Sequence, residues 1–171
     1  MASAPPPHAH LFHLVQRPLW SAAVDAAAPA DAPPPPPPGV CYYPPTYAQD
    51  GFTHLTADPD LLLAVANQFY RSVPADVEWR LLVLDAAALA AAPGAGRVRY
   101  EAAAPVGAVA AREDDAGRLY PHLYGGIPAS GGVVVAELPM RRAPGEGGAF
   151  LAIDGIEAWG GGGGGEGGGG R

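Results

Sequence analysis

The chain contains no lysine; its 10 cationic side chains other than histidine are all arginines. With the abundant alanine, glycine and proline, this is a bias of coding composition and assigns no chemistry. The formal net charge is −7, and the tight cationic pairs, Arg97 with Arg99 and Arg141 with Arg142, read as solvated surface. Nucleic-acid affinity rests on clustered cations that displace counterions, so no nucleic-acid partner is expected. A single cysteine, Cys41, excludes an intrachain disulfide framework and reads as a buried, inert thiol. No apolar run reaches the roughly 18 residues of a spanning helix, because Asp85 interrupts Leu81 to Ala92, and no membrane partner is expected. Met1 to His10 lacks the basic and apolar regions of a secretory signal, which makes the cytosol or nucleus the expected compartment.

What is present is concentrated in the middle of the chain. Prolines cluster in Pro33 to Pro38 and glycines beyond Trp159, leaving the centre rich in leucine, valine, alanine and aromatics. The expectation is a disordered head over residues 1–9, one folded unit over 10–154 with a proline-rich surface insert around 29–39, and a disordered glycine-rich tail over 155–171.

Within that unit His10 to Gln16 is apolar without helical spacing and predicts a strand. Pro18 suits the first turn of a helix carrying Trp20, Ala23, Val24 and Ala27 on one face. Asp50-Gly51 marks a turn into a short strand over Phe52 to Leu55. Thr56 reads as the N-cap of a helix over residues 58–71, whose stripe is Leu61, Leu62, Val65, Ala66 and Phe69. Strands follow at Val77 to Leu84, Val98 to Ala102, Val133 to Leu138 and Phe150 to Ile153, with a short helix over Leu84 to Ala92, a charged, mobile loop from Gly107 to Gly117, and a stretch from Leu119 to Ile127 that carries a histidine. Strands outnumber helices and the two interleave irregularly, which predicts an α+β fold of small mixed or antiparallel sheets with few helices.

Three of the five histidines sit in similar frames: Leu11-Phe12-His13-Leu14-Val15, Gly51-Phe52-Thr53-His54-Leu55-Thr56 and Tyr120-Pro121-His122-Leu123-Tyr124-Gly125-Gly126. We read these as converging on one cleft, the alternative for each being a core histidine satisfied by a backbone carbonyl. Gly125-Gly126 permits positive φ or the close backbone approach that a tight turn or a bound ligand requires. Three imidazoles with an open position also form a catalytic zinc arrangement, although the usual local spacings are missing and no metal ligands are assigned.

These three blocks, with Trp20, Val65 to Tyr70 and Val98 to Glu101, resemble the domain-of-unknown-function 952 family over roughly His10 to Leu138. Departures from its pattern are Thr53, Thr56, Asp60 and Tyr120, where isoleucine, serine, glutamine and phenylalanine are usual. The resemblance implies an ADP-ribosyltransferase-like fold whose cleft holds NAD, with His13 at a ribose-contacting position and His54 and His122 in the family's own blocks. Cleaving a nicotinamide bond builds positive charge on the ribose, which a nearby carboxylate would stabilise. The residues this reading assigns are Glu101 and His54 as catalytic, and His13, Tyr47, Thr56, His122, Tyr124 and Gly125 as cofactor-binding, Tyr47 or Tyr124 as a stacking ring. The alternative for Glu101 is an exposed strand residue in an ion pair with Arg97 or Arg99, and for the whole site a nucleotide or small-molecule binding module without turnover.

Overall fold

A computed structural model describes residues 7–27 and 40–160. The proline-rich insert, most of the expected head and the glycine tract beyond 160 lie outside the described residues.

Strand β1, His10–Gln16, is buried along both faces, which is why its sequence is a continuous apolar run rather than an alternating one. Leu11 and Val15 enter one core cluster with Trp20, Tyr42, Leu82 and Leu123; Phe12 and Leu14 enter another with Leu62, Ala66, Leu81 and Phe150. The helix after it, α1 (Arg17–Ala27), buries Ala27 and, in the first cluster, Trp20. β1 pairs antiparallel with β4 (Trp79–Asp85), placing His13 opposite Leu82. β4 continues to β8 (Val134–Arg142) and β8 to β9 (Phe150–Ile153), giving a four-stranded sheet in the order β1-β4-β8-β9. Register shifts at Val83/Leu84 and Arg141/Arg142 curl this sheet, as bulges do.

A second sheet has the order β3-β6-β5, formed by β3 (Thr53–His54), β6 (Leu119–Tyr124) and β5 (Arg97–Ala102). A pair of two-residue strands, β2 (Cys41–Tyr42) and β7 (Ile127–Pro128), stands beside it. All these pairings are antiparallel, which settles the mixed-or-antiparallel expectation. The two larger sheets are joined where Phe12 and Thr56 exchange backbone hydrogen bonds of 2.8 and 2.9 Å, just past the point where Leu55 N–H, donating to Pro121 O at 3.0 Å, extends the β3–β6 pairing.

The helix expected over 58–71 is a 3-10 turn, Pro59–Leu61, followed by α3, Leu62–Phe69. Thr56 is not its cap, because the bridge to Phe12 engages its backbone in the sheet. Asp58 caps it instead, with an extended backbone and a side chain accepting from Asp60 N–H at 3.0 Å. Asn67 clamps α3 to β9: its amide donates to Phe150 O at 3.0 Å and accepts from Phe150 N–H at 2.8 Å. The short helix α4, Ala86–Ala91, starts at Asp85, which accepts from Ala88 N–H.

Two expectations about irregular segments are corrected. The loop expected to be mobile has internal order: Val106 and Val109 exchange backbone bonds, and a 3-10 turn, Glu113–Asp115, buries the Asp115 carboxylate. Within the stretch expected as a tail from residue 155, Ile156–Trp159 form a 3-10 turn whose Ile156 and Trp159 pack on the second core cluster. Trp159 also meets the His10 ring edge-on at 4.9 Å. Among the described residues no helix is long and apolar enough to cross a membrane.

Candidate functional site

The site grows from the turn at Asp50-Gly51. A single helical turn, α2 (Tyr47–Asp50), ends at Gly51, whose φ of 81° reverses the chain into β3. Strand alternation then sends Thr53 inward, where its hydroxyl donates to Gly125 O at 2.8 Å, and sends Phe52 and His54 to the other face. On β6 the same alternation aligns Tyr120, His122 and Tyr124, with Leu123 in the core. His54 stands directly opposite His122, ring centres 5.5 Å apart and edge-on, and the Phe52 ring stacks on His122 at 4.1 Å.

Each of these imidazoles has a carboxylate. His122 Nδ1 lies 3.0 Å from Glu101 on β5, and the same Glu101 oxygen accepts from the Tyr124 hydroxyl at 2.6 Å. Those two donors, the Tyr124 hydroxyl foremost, hold the Glu101 carboxyl below its ordinary range. An ionised carboxylate only accepts, so Nδ1 carries the hydrogen and Nε2 is the nitrogen left for a ligand. His54 Nε2 is 3.0 Å from Asp50, whose oxygens also accept from Gly107 N–H at 3.1 and 3.2 Å. Burial, against the pull of Asp50, lowers the His54 pKa, and the neighbouring His122 adds to the lowering.

His54 and His122 open onto a narrow cavity of about 40 Å³. Its apolar walls are Phe12 and Leu14 of β1 and Val65 and Phe69 of α3; Thr56, Tyr120, Arg112 and Asp115 supply polar groups, and Ala103, Ala104 and Val106 form a further wall. Two polar atoms in this lining, Arg112 Nη1 and the Tyr120 hydroxyl, are buried without a hydrogen-bond partner. Asp115 lies 3.6 Å from Arg112 Nε and 3.6 Å from Arg118 Nε. It neighbours Tyr120 without accepting a well-formed hydrogen bond; burial and then this carboxylate push the Tyr120 hydroxyl up to about 12.

The expected residues therefore divide. His54, His122 and Thr56 line the cavity together; Glu101 stands one step behind His122, and Tyr124 holds Glu101 from the rim under the Arg99 guanidinium, 5.0 Å above its ring. Glu101 is thus a partner of His122 and Tyr124, not the arginine ion pair weighed against it. His13 does not join them. It points to the face of β1 opposite Phe12 and Leu14, where Nδ1 donates to His54 O at 2.8 Å and its ring lies 5.8 Å from Tyr42. A three-histidine metal site is therefore not formed, and among the described residues no three histidine, cysteine, aspartate or glutamate side chains are placed to hold a metal. Tyr47 packs edge-on against Tyr43 at 4.8 Å, away from the cavity wall. Gly125 approaches backbone and not a ligand cleft: a Cβ there would fall 2.0 Å from Ala95 O.

Sequence reasoning passed over Asp50, Arg112 and Asp115. For Asp50 the signal was present, four residues before His54 across a turn. For the other two there was none, because Arg112-Glu113-Asp114-Asp115 has the composition of a solvated loop.

Comparison with known proteins adds the family and the fold. A family model described as "Protein of unknown function (DUF952)" matches residues 14–135. The crystal structure of protein CC0527 from Caulobacter crescentus is similar at 20% identity and a TM-score of 0.53, over 83% of this chain and 93% of that one. A double mutant of the same protein is similar at 20% identity and a TM-score of 0.52, with the same coverage. At that identity the likeness concerns the fold alone. No curated protein matches the chain. None of these comparisons carries the ADP-ribosyltransferase relationship that the resemblance implied. With a family model spanning most of its length, the chain belongs to the DUF952 family.

Proposed function

We propose that the cavity between β1, β6 and α3 binds a small molecule through a carboxylate or carbonyl oxygen, and that His122, oriented by Glu101, exchanges a proton with it. The observation that supports this reading is hydrogen-bonding capacity held in an apolar enclosure and unused by the protein: Arg112 Nη1 and the Tyr120 hydroxyl. Buried polar groups are nearly always paired, and two donors lining one void match an acceptor-bearing ligand or water. His122 Nε2, free while Nδ1 is held by a carboxylate, has the arrangement of a general base.

The discriminating variant is Tyr120→Phe. Losing a hydrogen-bonded hydroxyl costs a buried site about 1 kcal/mol, whereas removing an unpaired one is neutral or stabilising. We expect Tyr120→Phe to keep the wild-type melting temperature and to weaken butanoate binding, measured calorimetrically, by about tenfold. Equal butanoate affinity in wild type, Tyr120→Phe and Arg112→Met overturns the proposal.

A second reading is cleavage of the nicotinamide bond of NAD. Its support is the Glu101 carboxylate fixed between His122 and Tyr124, together with the sequence resemblance. A void of about 40 Å³ admits a few atoms and no dinucleotide unless the wall at Ala103, Ala104 and Val106 moves aside. The expected result for this reading is nicotinamide release by the wild type and its loss in Glu101→Gln. Background rates in both leave the binding module standing alone.

A further inference from the structure

A second cavity adjoins the first. It measures about 280 Å³ and shares Leu14, Phe69, Tyr70 and Val106 with it as a common wall. On the loop side the partition is Val106, held in the Val106–Val109 turn, and the next residue, Gly107, is tied to Asp50. Beyond it the lining presents the flat side chains of Tyr42, Pro44, Pro45 and Trp79, with Gln16 and Thr46 among them. Trp79 is 3% exposed, its ring 4.6 Å from Tyr70 and edge-on to Phe150 at 5.5 Å, yet its Nε1 has no hydrogen-bond partner. A buried indole N–H ordinarily finds an acceptor, so this wall too carries an unmet donor.

We infer that the two cavities are halves of one bipartite site, in which the half beside Trp79 takes a planar ring bearing a hydrogen-bond acceptor for Nε1. The ligand class is therefore a heteroaromatic acid: a flat ring among Tyr42, Tyr70 and Pro44 at one end, a carboxylate toward Arg112 and Tyr120 at the other. The acid end rests on the function proposed above; the ring end rests on Trp79 alone.

The test uses the full chain and three probes: pyridine, butanoate and a pyridyl-butanoate that joins them. Tethering turns the second contact into an intramolecular one, so the joined probe is expected to bind at least about tenfold tighter than butanoate. Pyridine and the joined probe are each expected to move the Trp79 indole N–H signal in nitrogen-edited spectra, identified by its loss in Trp79→Phe. That variant is expected to lose the tenfold gain and keep the affinity for butanoate. An indole signal unmoved by pyridine and by the joined probe overturns the ring subsite, whatever butanoate does. Butanoate that fails to bind while pyridine still moves the signal instead removes the function proposed above and leaves the ring subsite in place. A joined probe no tighter than butanoate shows the halves to be separate and overturns the bipartite site.

Discussion

Gly125→Ala is expected to cost the fold about 4 kcal/mol, most of the roughly 5 kcal/mol that holds a domain at the low end of the usual stability range. The added Cβ would sit 2.0 Å from Ala95 O and 2.8 Å from Ala95 C, and the reciprocal contact, a Cβ at Gly96 against Tyr124 O, is 2.1 Å. Both obstacles are backbone, so relief requires moving β6 away from the turn that precedes β5. The Thr53 hydroxyl bond to Gly125 O would move with it. Gly117→Ala is the control. Its φ is 80° and its Cβ would meet nothing, so only the left-handed backbone penalty of about 1 kcal/mol applies. Urea denaturation of the two variants checks the difference, and comparable midpoints would mean that the close approach at Gly125 is not rigid.

The second large effect is acid sensitivity set by His13. Burial, opposed by the bond to His54 O, lowers this histidine from 6.5 to about 4. The unfolded chain therefore binds a proton that the native state refuses. Above pH 6.5 both states are neutral at this site and nothing is lost; as pH falls from 6.5 towards 4 the unfolded state gains the proton and stability drops, by about 3 kcal/mol in all. His54, lowered for the same reason, adds to the slope in the same direction. In His13→Asn the amide can still donate toward His54 O and no longer titrates. Its stability is expected to vary less with pH than that of the wild type across this window, measured as unfolding free energy in urea at successive pH values. Parallel curves for the two proteins would remove His13 as the cause.

How far the sequence could be read follows the range of the interactions involved. The strand at His10 to Gln16, the turn at Asp50-Gly51 and the stripe through Leu62 and Ala66 are local patterns, and each is present where expected. The meeting of His54 with His122 was legible as two similar blocks that pair across adjacent strands. His13 was misplaced because β1 is apolar on both faces, so alternation put it opposite Phe12 and Leu14 without telling which face borders the void. Asp115 looks like solvent-facing charge until Arg112 and Arg118 close over it, a contact that only the folded loop makes. Gly125 offered a choice of turn or ligand, and a third cause, backbone lying on backbone, was the operative one.

Asp50 receives both the imidazole of His54 and the amide of Gly107. The loop beside Val106 and the ring of His54 thus hang from one hook. A displacement of that carboxylate large enough to break both contacts would release the strap and strip the imidazole of its acceptor together, so the two are geared by a single side chain.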